Sequence, residues 1–388
     1  MTPTARLAAA GFLATAVAFG PARMGFGLFL PTFRDTFALD TALAGTIASL
    51  GFTAFLLALP VAALLSPRAG QRAPVVLGAS LAVAGFILAA LATHWTQLAA
   101  GVALAGMSAG LCWSPFNDAT ERVVMASDRD GVLSWVASGT SIGVAVAGAL
   151  ALAVTLGLSD WRLCWAVFAA FAALAAASAL IGVPGPPPAQ PGPAPSRAPP
   201  FAYRLKAVPL YIAAGTFGAT NAIYMSFAGD RVAQSGGIAG WPEGAAPGFI
   251  FLAYGLCGVL GVATGWAERR IGLRALLRVI FAAGALSLAG IGLSPGSGAV
   301  VLASAGMHGA ALMTISAVIS FWSLRLFPGR GAAGFTGTLT ALAAGSVLGP
   351  VAAGVLQPRL GPEAMFLTLA LPAAALVVIP LAPKDRMA

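Results

Sequence analysis

A chain of 388 residues that is 59% hydrophobic and only 9% charged has more apolar surface than a water-soluble fold can hide, since ordinary soluble domains are about one quarter charged. That composition excludes soluble enzymes and binding modules and reads as a protein crossing a lipid bilayer many times. The net charge of +9 does not point to nucleic acid, because the basic residues are scattered through short connections rather than gathered on one segment.

Crossing ~30 Å of hydrocarbon as a helix takes about 20 apolar residues. Runs of that length lie at 7–33, 41–65, 73–92, 96–116, 132–157 and 163–183, and again at 207–228, 246–267, 275–294, 299–323, 333–356 and 364–382. The first resembles a signal peptide, but its apolar run continues to Phe33 without a small-residue cleavage site, so it reads as a retained first helix. Pro115, after Trp113 and Ser114, is expected to end the fourth helix, with Asp118, Glu121 and Arg122 continuing beyond it. None of the runs alternates as a barrel strand does, and only helices or closed barrels satisfy their backbone in lipid. The fold class is therefore an all-α polytopic membrane protein of twelve transmembrane helices.

Between the sixth and seventh runs stands PGPPPAQPGPAPSRAPP, Pro184 to Pro200, an extended polyproline-type spacer with nothing to bury. It divides the chain into 1–183, a linker 184–206 and 207–388. With the N-terminus in the cytoplasm, the cytoplasmic segments hold sixteen Lys and Arg residues and the opposite loops four. That bias places both termini and the linker in the cytoplasm, across a cytoplasmic (inner) membrane.

The halves also read as copies. Arg68-Ala-Gly70-Gln-Arg72 after the second run returns as Arg270-Ile-Gly272-Leu-Arg274, Ala105-Gly106-Met107 as Ala305-Gly306-Met307, and Gly139, Gly143 and Gly148 as Gly345, Gly349 and Gly354, at offsets of 202, 200 and 206. Parallel repeats of six spans return the chain to the same side. Six plus six helices, a cytoplasmic linker, the R-x-G-x-R loops and a glycine-spaced fifth helix resemble the major facilitator superfamily over the whole chain. The resemblance implies two pseudo-symmetric six-helix bundles that rock about a central site lined by helices one, four, seven and ten. Departures stand beside it. The family's loop aspartate falls on Pro67 in the first copy and on Arg269 in the second, with Glu268 one residue early, and the glycine-proline pair of many drug exporters' fifth helix is missing.

An ionisable group inside a span is costly and marks a site unless it is paired. Arg23, within the first run, is a permanently charged forked donor suited to carboxylate or phosphate; the alternative is a structural arginine tied to backbone near Pro21 or to an acid of the other half. His308 is the only histidine inside a span and offers solute hydrogen bonding or proton coupling, against a neutral ring bonded to a neighbouring helix. Asn221 and Tyr224, three apart, share one helix face; Trp113 could wall the site or merely pack. Asp118, Glu121 and Arg122, with Arg68, Gly70, Arg72, Glu268, Arg270, Gly272 and Arg274 of the loops, are gating candidates or a solvated end.

Cys112, Cys164 and Cys257 lack metal-ligand spacing, and no phosphate loop or nucleophile constellation is present. The expectation is therefore a monomeric transporter and not an enzyme, without a cofactor or metal. Its partners are a small solute, foremost an organic anion, and a proton or counter-anion. The competing readings are an exporter of amphiphilic drugs and a non-transporting membrane receptor.

Overall fold

The structure is a computed structural model that describes residues 2–125, 128–186, 205–327, 331–379 and 381. Linker residues 187–204 lie outside the described residues, as do Arg330, Lys384 and Arg386 of the basic tally. The described residues are helical throughout, with no strand among them.

In the first half the helices are α1 (Pro3–Phe19), α2 (Pro21–Leu28), α3 (Leu30–Phe37), α4 (Thr41–Ala69), α5 (Arg72–Ala90), α6 (Trp95–Val123), α7 (Arg129–Thr155) and α8 (Trp161–Gly182). In the second they are α9 (Val208–Gln234), α10 (Ala246–Gly258), a 3-10 turn (Val259–Ala263), α11 (Thr264–Leu293), α12 (Gly298–Leu326), α13 (Gly331–Leu360) and α14 (Pro362–Val378). By length and composition, nine stretches of the described residues could cross a membrane, and one of them, Ala246–Leu293, runs for 48 residues. It is folded back by Gly272 (φ 79°, ψ 160°), a backbone region open mainly to glycine. Gly70 makes the equivalent turn between α4 and α5 at φ 74°, ψ 169°.

Short polar caps start several helices where the runs were expected to begin. Asp40 accepts from the Leu43 amide at 2.7 Å and Asp160 from the Leu163 amide at 2.8 Å, which satisfies amides that have no partner within the helix. Two expectations change. The first run is not one helix but three, broken at Gly20 (φ −81°, ψ −110°) and Phe29 (φ −103°, ψ 9°). The fourth is not ended by Pro115: α6 continues to Val123, so Asp118, Glu121 and Arg122 sit on its last turns. Packed neighbours let a membrane helix absorb a proline that would break it in water.

The same helix pairings occur in both halves. α1 packs on α7 as α9 packs on α13; α4 on α6 as α10 on α12; α5 on α8 as α11 on α14. Across the seam, α4 lies against α13 and α7 against α10. Glycine sets these distances, as small residues do in membrane helix interfaces. A Cβ on Gly45 would stand 2.5 Å from the Pro350 carbonyl oxygen, and one on Gly27 would overlap the Met225 carbonyl.

Candidate functional site

The break at Gly20 is what presents Arg23. A Cβ there would meet the Ala16 carbonyl oxygen at 2.3 Å and the Gly143 backbone at 2.7 Å, so only glycine allows α1 and α7 to cross so closely. Pro21 then restarts the chain as α2 with its amide already missing. Arg23, on the first turn of α2, faces a pocket lined by Phe26, Gly27, Phe52, Phe55, Val102, Gly106, Met225 and Ser226, among others, drawn from both halves of the chain. The free space holds about one water molecule.

The guanidinium has no acidic partner among the described residues, whose two ion pairs are Arg34–Asp230 and Glu268–Arg325. Its Nη2 donates to Ser346 Oγ at a long 3.4 Å, and its Nε is buried without a hydrogen bond. Aromatic rings take the place of an anion: its carbon lies 4.9 Å from the Phe55 centroid, 5.4 Å from Phe52 and 5.8 Å from Phe19, all within cation–π range. Trp113 meets Phe19 edge-on at 5.5 Å and so extends this aromatic wall.

The other three expected binding residues come together in the second half. His308, fully buried on α12, stacks on Tyr224 of α9 at 4.2 Å and 15°. Its Nδ1 pairs with Ser287 Oγ at 2.5 Å, while Nε2 has no partner. Tyr224 shares a hydrogen bond with Ser304 at 3.0 Å, and Ser304 donates to the Ser287 carbonyl at 2.8 Å. Asn221 Oδ1 accepts from the Tyr254 hydroxyl at 2.6 Å. The sequence therefore placed three members of this cluster and missed Tyr254, Ser287 and Ser304. Polar side chains inside apolar runs were the available signal.

The gating candidates divide. Arg68 caps its own helix on the Leu64 carbonyl at 2.8 Å, and Arg72 Nε donates to the Val183 carbonyl at 2.8 Å. Arg122 bonds Gln71, whereas Asp118 and Glu121 are exposed and form no ion pair among the described residues. Glu268 pairs with Arg325 of α12 at 2.7 Å, Arg270 is exposed, and Arg274 Nε is buried without a hydrogen bond.

A tighter contact was not foreseen. Arg34 on α3 grips Asp230 on α9 through two bonds, Nε to Oδ1 at 2.6 Å and Nη2 to Oδ2 at 2.9 Å. Nη1 also reaches the Leu39 carbonyl at 2.8 Å, Nη2 reaches Thr41 at 3.0 Å, and Gln234 donates to Asp230 at 2.8 Å. The run expected to stop at residue 228 continues to Gln234, which carries Asp230 into the protein with its side chain 3% exposed. This bridge joins the two halves at the end remote from Gly182, which itself abuts Arg6.

The family model of the Major Facilitator Superfamily matches residues 10–344. Solved structures agree in fold. A variant of the nucleoside transporter NupG superposes with a TM-score of 0.76 at 15% identity, covering 97% of this chain and 98% of that one. A POT family transporter in complex with a thioalcohol-conjugated peptide gives 0.78 at 15%, covering 97% and 94%. A bacterial homologue of the human lysosomal transporter Spinster, inward-facing and unoccupied, gives 0.70 at 16%, covering 97% and 95%. No curated protein matches the chain in sequence. An all-helical, multi-pass architecture and a family model spanning most of the sequence lead to one assignment: the chain belongs to the major facilitator superfamily.

Proposed function

We propose that this protein is a secondary transporter that moves a small organic anion across the cytoplasmic (inner) membrane by alternating access, as a monomer with both termini and the proline linker in the cytoplasm. Residues 1–183 and 207–388 form the two six-helix bundles, and the solute sits between them at Arg23. The observation that carries this reading is the guanidinium in a pocket fed by both halves, with a buried donor unpartnered and no carboxylate beside it among the described residues. A lone arginine at membrane depth is costly, and a bound anion would offset that cost. Trp113 closes the aromatic side. Asn221, Tyr224 and His308 line the opposite bundle, with His308 as the group that could couple transport to protons or leave exchange against a counter-anion. The R-x-G-x-R loops with Glu268 act as gates at the linker end, and the Arg34–Asp230 bridge as the gate at the other.

Uptake into proteoliposomes tests this. A panel of carboxylates run with and without an imposed pH gradient should show saturable transport that Arg23→Gln abolishes. The second reading, export of amphiphilic drugs, is favoured by the Phe and Met lining of the pocket. Thermal stabilisation by lipophilic cations that survives Arg23→Gln would favour it.

A further inference from the structure

The pocket around Arg23 restricts the solute beyond its sign, and the restriction rests on the reading of this pocket as the transport site. We infer that, once the two halves part and widen the one-water space seen here, it takes a small monoanion with a flat or branched apolar body, such as an aryl carboxylate, rather than a polyhydroxylated or zwitterionic solute.

Three observations carry this. The first is charge. Among the described residues one cation faces the pocket, and its lining includes no acid. A zwitterion would bring an ammonium with nothing to pair it, and a dianion would leave one charge over; a single carboxylate balances the site. The Nε and Nη2 edge, with one donor unpartnered and the other held only at 3.4 Å, suits the two oxygens of one carboxylate.

The second is the hydrogen-bond inventory. Besides Arg23, Ser226 is the only polar side chain among the described lining residues, and Asn221, Tyr224 and His308 stand outside that lining, bonded or stacked within their own bundle. The nearby hydroxyls are committed: Ser346 donates to the Gly218 and Leu342 carbonyls, and Ser49 to the Val347 carbonyl. A sugar, nucleoside or peptide would bury several groups that find no partner, each weakening binding by roughly tenfold.

The third is the wall. Phe19, Phe52 and Phe55 surround the guanidinium, and Phe26, Val102 and Met225 complete an apolar lining. Gly51 and Gly106 let α4 and α6 touch at the lining, since a Cβ on Gly106 would overlap the Gly51 carbonyl. An apolar body held beside a carboxylate fits rings already positioned around the charge, whereas a strongly hydrated anion would gain little from them.

Isothermal titration of the purified full chain tests this with benzoate, acetate, benzamide, phthalate, uridine and dialanine. Benzoate should bind most tightly, with benzamide weaker by roughly tenfold or more. Arg23→Gln should weaken benzoate by roughly 100-fold. Phe55→Leu keeps the charge and should weaken benzoate by roughly three- to tenfold while leaving acetate unchanged; it decides the matter if the Arg23 variant does not fold. Uridine or dialanine binding more tightly than benzoate, and lost with Arg23→Gln, overturns the solute class but leaves the transport site standing. Benzoate affinity unchanged by both substitutions, or no probe binding at millimolar concentration, overturns both.

Discussion

Breaking the Arg34–Asp230 bridge should shift the protein towards a form open at that end. Asp230 is 3% exposed and Arg34 17%, so the pair is shielded from solvent. Removing one member of a buried pair costs about 3–5 kcal/mol, mostly from the charge left behind. Arg34→Ala leaves Asp230 with Gln234 as its remaining hydrogen-bond partner. Allowing for Arg34's partial exposure, we expect a bias of ~2–3 kcal/mol, which is roughly 30- to 150-fold in population. The charge left behind finds water only if α3 and α9 separate, so the penalty acts on the closed state. Spin labels at Thr36 and Ser235, both exposed, in a background lacking Cys112, Cys164 and Cys257, read the separation by pulsed dipolar spectroscopy. The parent should give one short distance, Arg34→Ala a longer and broader distribution, and the charge swap Arg34→Asp with Asp230→Arg a return towards the parent. Identical distributions for the parent, Arg34→Ala and Asp230→Asn would refute the gate.

Gly143→Ala should lower the melting temperature in detergent sharply, about 2–4 kcal/mol, because its Cβ would overlap the Ala16 carbonyl. Gly284→Ala, which meets nothing within 4 Å, should be neutral or stabilising by about 0.5–1 kcal/mol. Gly70→Ala should cost about 1–2 kcal/mol for its left-handed backbone, with a further loss because its Cβ would meet the Pro186 backbone at 2.5 Å; the fall in melting temperature measures the two together. His308→Gln keeps a hydrogen-bonding group for Ser287 but cannot carry a proton. If His308 couples transport to protons, proteoliposomes bearing it should transport without stimulation by a pH gradient, and unchanged stimulation would remove it from that role.

Much of the fold was readable in the sequence because lipid imposes length and apolarity on every crossing. Both R-x-G-x-R segments were recognisable as loops between spans, and their glycines adopt the same backbone region. Pro115 misled because its rule comes from helices in water. The candidate site was readable only where a residue was anomalous alone. Arg23 and His308 are conspicuous inside apolar runs, whereas Phe52 and Phe55 are two of 22 phenylalanines and gain meaning only from the guanidinium across from them. Arg34 and Asp230 are separated by 196 residues, no pattern in the sequence links them, and only packing brings them together.

If Arg23 holds the transported monoanion, its lack of an acidic partner among the described residues sets where voltage would act. With a monoanion bound, the two charges cancel, and the membrane field has little to pull on as the bundles rearrange. The vacant carrier instead moves a bare guanidinium through part of that field, where each full charge responds by ~2.3 kcal/mol per 100 mV. Any electrical sensitivity of turnover would then belong to the empty return stroke, and saturating solute on both faces should make the cycle nearly indifferent to potential.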